Sequence, residues 1–290
     1  MREDPQTLVS TDWLAGRLAR DLASVVVLDA SWHMPGAGRD AKAEFLAGRI
    51  PGARRFDIDR VSDHESPLPH MAPSAEAFRA AAQALGIGPD TQVVAYDSVG
   101  LFSAARAWWT FRLMGHRTVA VLDGGLPKWV SEGRPVETGE VGAARPVPPV
   151  EVSREAGRVV GAEDVALALA EGSAQVLDAR GRARFRGEAA EPRPGLRAGH
   201  MPGAFNVPFG DVLNPDGTLK DEDGIRAALA GEGVDPMRPI ITTCGSGVTA
   251  AILALALERL GRVAALYDGS WAEWGAVSES GPTRPVATGP

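Results

Sequence analysis

Short apolar runs alternate along the chain with helical patterns, and the alternation occurs twice. In the first half, Ser24–Leu28 is a continuous, mostly β-branched run, as a strand buried on both faces requires. Ser74 stands as an N-cap before Ala75-Glu76-Ala77-Phe78-Arg79-Ala80-Ala81-Ala82, which predicts a helix. Gln92–Ala95 predicts a second strand, Ala104–Met114 a second helix carrying Trp108 and Trp109, and Val119–Leu122 a third strand. The second half predicts helix 162–171, strand 174–177, helix 223–230, strand 239–243, helix 248–260 and strand 263–267. Strands alternating with helices predict an α/β fold, a mainly parallel sheet with helices on both faces.

The two halves also share short sequences. Val27-Leu28-Asp29-Ala30 pairs with Val176-Leu177-Asp178-Ala179, and Gly48-Arg49-Ile50-Pro51-Gly52-Ala53 with Gly199-His200-Met201-Pro202-Gly203-Ala204. Val93-Val94-Ala95-Tyr96-Asp97 pairs with Ile240-Ile241-Thr242-Thr243-Cys244, and Leu122-Asp123-Gly124-Gly125 with Tyr267-Asp268-Gly269-Ser270. The offsets are 149, 151, 147 and 145 residues, so the chain reads as two copies of one domain. Residues 136–158 contain Pro146, Pro148 and Pro149 and no helical periodicity, which favours an extended connector. The expected division is a first domain at 1–140, a linker at 141–158 and a second domain at 159–290.

Composition narrows the function. A chain of 290 residues suits two domains. Acidic residues outnumber basic ones 37 to 30, for a net charge of −7, which speaks against a general nucleic-acid binder. The single cysteine excludes an intramolecular disulfide and a metal site built on several thiolates. No stretch is apolar for the length of a bilayer span, and Met1-Arg2-Glu3-Asp4-Pro5 lacks the apolar core of a signal peptide. With one free thiol, the expectation is a cytoplasmic protein that binds neither membrane nor nucleic acid. A monomer is expected, because the repeat already forms an internal pseudo-dimer.

The one cysteine sits where parallel α/β sheets build their sites. Cys244 follows the apolar run Pro239–Thr243 and precedes Gly245-Ser246-Gly247-Val248-Thr249-Ala250 and a helical segment. Sites in such sheets lie at the carboxyl ends of strands. Glycines let successive N–H groups turn inward, and the helix start adds partial positive charge. Both favour the thiolate, the reactive form. A lone cysteine is commonly a small buried hydrophobe, but the flanking glycines serve chemistry and not core filling. Copy one carries Asp97 at the equivalent position, so it builds part of the cleft and does no thiolate chemistry.

On these residues the chain resembles the tandem-domain rhodanese superfamily, and within it the 3-mercaptopyruvate sulfurtransferases, from about Val9 to about Pro285. The most specific motif is Cys244-Gly245-Ser246-Gly247-Val248-Thr249. Thiosulfate-type members typically carry a basic pair where this chain has Gly245-Ser246. Thiosulfate is a compact dianion that gains from cationic side chains at the loop, whereas mercaptopyruvate presents its carboxylate farther out. Residues 181–200 hold five arginines and two glutamates, and arginine is the preferred fork for a carboxylate. The resemblance assigns Arg184 and Arg193 to substrate, while Arg182, Arg186 and Arg197 are expected on the solvated surface. It carries Asp59 and His70 over as active-site partners, with His70 bridging to Ser246 and Asp59 orienting the imidazole for proton movement. His33, His64, His116 and His200 are expected to be structural or solvated.

The implied reaction is ping-pong. Cys244 takes sulfur from 3-mercaptopyruvate as a persulfide, cradled by N–H groups from Gly245 to Thr249, including Gly247 and Val248. Pyruvate leaves, and cyanide, a small thiol or a reduced thioredoxin-like dithiol accepts the outer sulfur. No metal or organic cofactor is implied. The nearest rival is thiosulfate sulfurtransfer by the same cysteine. A cysteine phosphatase would need an arginine six residues after the cysteine, where this chain has Ala250. A non-enzymatic sulfur carrier would have no use for Arg184 and Arg193.

Overall fold

The structure, a computed structural model, describes residues 3–21, 25–277 and 284–290. Two five-stranded sheets share one topology. The first has the order β1 (Leu8–Val9), β5 (Val119–Leu122), β4 (Val93–Tyr96), β2 (Val26–Asp29), β3 (Arg54–Arg55). The second repeats it with β6 (Val159–Val160), β10 (Ala265–Tyr267), β9 (Ile240–Thr243), β7 (Gln175–Asp178) and β8 (Phe205–Asn206). Every strand pairing within these sheets is parallel. Register repeats too: Asp29 stands opposite Tyr96 as Asp178 stands opposite Thr243. Asp97 and Cys244 therefore leave the same end of the same central strand.

The helices are α1 (Thr11–Arg20), α2 (Ala41–Ala47), α3 (Ala75–Ala84), α4 (Ala104–Leu113) and α5 (Gly125–Ser131), then α6 (Ala162–Glu171), α7 (Arg182–Phe185), α8 (Glu222–Gly231), α9 (Ala250–Arg259) and α10 (Ser270–Trp274). Ser74 caps α3 as its spacing predicts, its hydroxyl accepting from Ala77 N–H. Asp221 caps α8 in the same way through Gly224 N–H, and Gly172 ends α6 in the left-handed conformation at φ 62°. All four residues of β4 and of β9 are buried, because helices cover both faces of each sheet. Every residue of α4 and residues Ala250–Leu257 of α9 are buried as well, which explains why neither shows a polar stripe.

The predicted strands and helices are present with ends shifted by one or two residues. The Ser24 end of the first predicted strand lies outside the described residues. The periodicity did not predict β1, β3, β6 and β8, each two residues long, or α1, α2, α5, α7 and α10.

The chain divides into two compact units, Met1–Asp63 with Ala72–Glu155 and Leu213–Leu219, and His64–Met71 with Ala156–Val212 and Lys220–Pro290. Each unit thus contains a short segment from the other sequence half. Leu213–Leu219 joins the first unit because Leu219 N–H donates to Asp123 (2.8 Å) and Gly217 packs on Gly100. A β-carbon on Gly100 would lie 3.2 Å from the Gly217 Cα, so two glycines meet there. The connector is tied down on the first unit. Arg54 donates to Gly142 O (2.9 Å), and the N–H groups of Ser153 and Glu155 donate to Met114 O and Leu113 O.

Candidate active site

Cys244 is 2% exposed at the carboxyl end of β9, with Ser246, Gly247 and Val248 also buried, and Thr249 as the N-cap residue of α9. Gly247 takes φ 78°, a conformation that a side chain would strain. The loop is held from behind by α10. Trp271 N–H donates to Cys244 O (3.0 Å) and Ala272 N–H to Gly245 O (2.8 Å).

Arg184, on α7, reaches this loop. A β-carbon on Gly245 would lie 3.0 Å from its Nη2, so the guanidinium rests against the residue that follows the cysteine. Two bonds to Glu191 aim it, from Nε to Oε1 (3.1 Å) and from Nη2 to Oε2 (2.5 Å). Glu191 is itself 1% exposed at its side chain and accepts a second arginine, Arg180 Nη1, at 2.7 Å. Arg180 forks onto Asp178 at the end of β7, donates to Gly199 O, and lies over the Trp271 ring at 4.2 Å. Burial works against the Arg180 charge, and Asp178 and Glu191 outweigh it, so its pKa is raised above the ordinary value. An alternating chain of acids and bases thus runs from the sheet to the loop, leaving Arg184 partly exposed at its end (26%).

Arg193 donates from Nη2 to His70 Nε2 at 3.0 Å. In that contact the guanidinium can only donate, so Nε2 is the acceptor. His70 is 6% exposed and holds φ 61°, and its segment belongs to the same compact unit as the cysteine. The structure thus brings together Cys244, Gly245, Ser246, Gly247, Val248 and Thr249 with Arg184, and His70 with Arg193. Asp59 belongs to the other unit, where its N–H donates to Asp57 and its carbonyl accepts the Ser62 hydroxyl (2.6 Å).

The sequence profile of the Rhodanese-like domain matches residues 10–132 and again 161–277. The chain belongs to the rhodanese family. A 3-mercaptopyruvate sulfurtransferase of Escherichia coli (strain K12) is 45% identical over 280 residues, covering 96% of this rhodanese and 98% of the relative. A thiosulfate sulfurtransferase of Bos taurus is 42% identical over 276 residues, covering 93% and 92%. The crystal structure of SseA from Escherichia coli, a 3-mercaptopyruvate sulfotransferase of "Rhodanese" fold, superposes with a TM-score of 0.80 at 42% identity, covering 92% of this chain and 99% of that one.

In this rhodanese one residue differs from expectation. Arg197 is not a solvated surface residue: it donates to the carbonyls of Gly275, Trp274 and Arg284 and ties the C-terminal segment to the unit. Arg182 is exposed, paired with Asp211 and Glu232. His200 stacks on Phe185 at 3.8 Å and bonds its carbonyl, a structural role as expected. His116 is buried, and burial pushes its pKa down. Arg180 and Glu191 were missed by sequence reasoning. Glu191 stands two residues before Arg193 in a basic stretch that holds one other acid, Glu188, and an acid there is a readable signal. Arg180 stands opposite Ser31 in the repeat, and that change of type is another. Among the described residues no group of three or more His, Cys, Asp or Glu could hold a metal ion, and no helix is long and apolar enough to cross a membrane.

Proposed function

We propose that the chain is a sulfurtransferase that moves the sulfur of 3-mercaptopyruvate through a Cys244 persulfide to cyanide or a thiol, releasing pyruvate. One observation carries this reading above all. A guanidinium fixed by a buried glutamate rests on Gly245, beside the cysteine, where a carboxylate-bearing donor needs a cation and where no side chain competes for the space.

The chemistry follows from those groups. The Cys244 thiolate attacks the donor sulfur, forming an S–S bond. The C–S bond breaks, and its electron pair leaves on the pyruvate enolate, which a proton converts to pyruvate. Arg184 and Arg193 hold the donor carboxylate, which lines the sulfur up with Cys244. Backbone N–H groups of the loop stabilise the negative outer sulfur. An acceptor nucleophile then attacks that sulfur, the S–S bond breaks and the thiolate returns; with cyanide the product is thiocyanate. Ser246, His70 and Asp59 belong to proton movement in this scheme. Because His70 Nε2 accepts from Arg193, the pair couples the proton site to the carboxylate site. A thioredoxin-like dithiol is the proposed protein acceptor, and a reducing cytoplasm suits the single thiol.

Steady-state kinetics with mercaptopyruvate and thiosulfate side by side, cyanide accepting, tests the reading. The expected result is a higher kcat/KM for mercaptopyruvate, together with loss of turnover and of the persulfide mass increment in Cys244→Ser. A higher kcat/KM for thiosulfate would make thiosulfate the donor, and normal turnover in Cys244→Ser would remove the nucleophile.

A further inference from the structure

Ser270 adopts φ 50°, the left-handed region that glycine occupies without cost, and it is fully buried. Apart from His70, it is the only non-glycine residue with positive φ among the described residues. Copy one makes the same turn with Gly125 at φ 53°. There a β-carbon would come 2.5 Å from Gly100 O and 2.6 Å from Asp97 O, so glycine is obligatory. Copy two has room for a side chain at this turn and uses it. The Ser270 hydroxyl donates to Tyr267 O (2.7 Å) and accepts from Cys244 N–H (3.3 Å). Strain in a buried turn persists where the surroundings determine it, and it concentrates at functional sites.

Three successive peptide planes show what the contact does. In a trans peptide, C=O and N–H point in opposite directions. The plane joining Thr243 to Cys244 is fixed at both ends: Thr243 O accepts from Ala179 N–H (2.8 Å), and Cys244 N–H is taken by Ser270. In the next plane Cys244 O is taken by Trp271 N–H, so Gly245 N–H points away from α10. In the third, Gly245 O is taken by Ala272 N–H, so Ser246 N–H also points away from α10. Ser270, Trp271 and Ala272 thus set the orientation of the cysteine and of the first two loop N–H groups. Copy one keeps only the middle bond, Leu126 N–H to Asp97 O at 3.0 Å. Its Gly125 has no hydroxyl, and its Pro127 has no N–H.

We infer that Ser270 is a positioning residue for the reaction, its hydroxyl locking the Cys244 peptide plane so that the sulfur and the loop N–H groups face the donor. This rests on Cys244 being the nucleophile. The strain at Ser270 is retained for its hydroxyl, and glycine would serve the fold at least as well.

The test uses two variants of the full chain. Ser270→Ala removes the hydroxyl and keeps the strained turn; Ser270→Gly removes both. The first expected result is that Ser270→Gly melts above Ser270→Ala. The second is that both variants lose about tenfold in kcat, the order expected when a reacting group is displaced by a fraction of an ångström. The KM for mercaptopyruvate should stay unchanged, because Arg184 and Arg193 are intact. Alkylation of Cys244 by iodoacetamide, followed by mass spectrometry, should slow in both variants without any donor present. If activity in Ser270→Gly recovers along with Tm, or if both variants turn over at the wild-type rate, the inference is overturned and Ser270 is a tolerated turn residue. Cys244→Ala separates the two failures. If Cys244→Ala is inactive while Ser270→Gly is fully active, the positioning role is wrong; if Cys244→Ala turns over, the reading of the nucleophile is.

Discussion

Replacing Glu191 by glutamine keeps the shape of the side chain and removes the charge between two guanidiniums. In the native protein Glu191 accepts from Arg180 at 2.7 Å and from Arg184 at 3.1 and 2.5 Å, with its carboxylate 1% exposed. Glutamine has one acceptor oxygen, and its NH2 would face an arginine donor, so one guanidinium must move. Arg180 keeps Asp178 and Gly199 O, whereas among the described residues Glu191 receives both of the Arg184 side-chain bonds. Arg184 is therefore the one that moves. Removing one partner from a buried ion pair costs about 3–5 kcal/mol, and the surviving Asp178 bond argues for the lower end, about 3 kcal/mol. In a chain of this size that lowers Tm by about 6–12 °C. Under the proposed function the displaced Arg184 weakens one charge-assisted contact to the donor carboxylate, a loss on the order of tenfold in kcat/KM. The assay is calorimetry together with kinetics on both donors. The reasoning fails if Glu191→Gln melts like wild type, or if the kinetic loss is equal for mercaptopyruvate and thiosulfate, since thiosulfate has no carboxylate at that distance.

Arg184→Ala and Arg193→Ala should each lose about ten- to hundredfold in kcat/KM for mercaptopyruvate and much less for thiosulfate, with Arg186→Ala as the near-neutral control. Equal damage from Arg186→Ala would make the segment a general electrostatic funnel. In the first unit, the Arg39 hydrogen bonds, with help from His33 and Ser98, bring Glu44 from an ordinary 4.5 down to about 2 despite partial burial. A depressed folded value means that its stabilisation is present above about pH 4.5 and is lost as pH falls through about 2. Calorimetry across that window should show Tm falling, and Glu44→Gln should flatten part of the fall; identical slopes would refute the assignment.

The repeat was legible because both copies keep the residues that shape a strand end. Leu28-Asp29-Ala30 and Leu177-Asp178-Ala179 close the same strand, and Gly52 and Gly203 both take positive φ. The cysteine loop was legible because its glycines and the apolar run before it are contiguous. The acid–base chain behind Arg184 was not, because its members lie 2, 11 and 7 residues apart along an irregular segment, with no period to reveal them. The short edge strands were invisible for a related reason: two residues cannot show an alternation. Arg197 was misjudged because an arginine that binds three carbonyls has the same sequence signature as one that faces water.

The comparison of Asp97 with Cys244 carries the argument one step further. The Asp97 carboxylate accepts five backbone N–H bonds, from Val99 and Gly100 on one oxygen and from Phe102, Ser103 and Ala104 on the other. Copy one thus shapes its loop from the inside, around the Asp97 carboxyl group. In copy two the side chain at that position is a cysteine, which under the proposed function gains and loses sulfur, so it cannot serve as a fixed template. The orientation of the loop has to come from outside, and α10 supplies it through the Cys244 and Gly245 carbonyls and the Ser270 hydroxyl. The two copies solve one geometric problem in two ways, and under the proposed function the solution tracks whether the central side chain stays unchanged or takes part in the reaction. Copy one can therefore accept Gly125 and Pro127 where copy two holds Ser270 and Ala272, since its own carboxylate already does the work of those bonds.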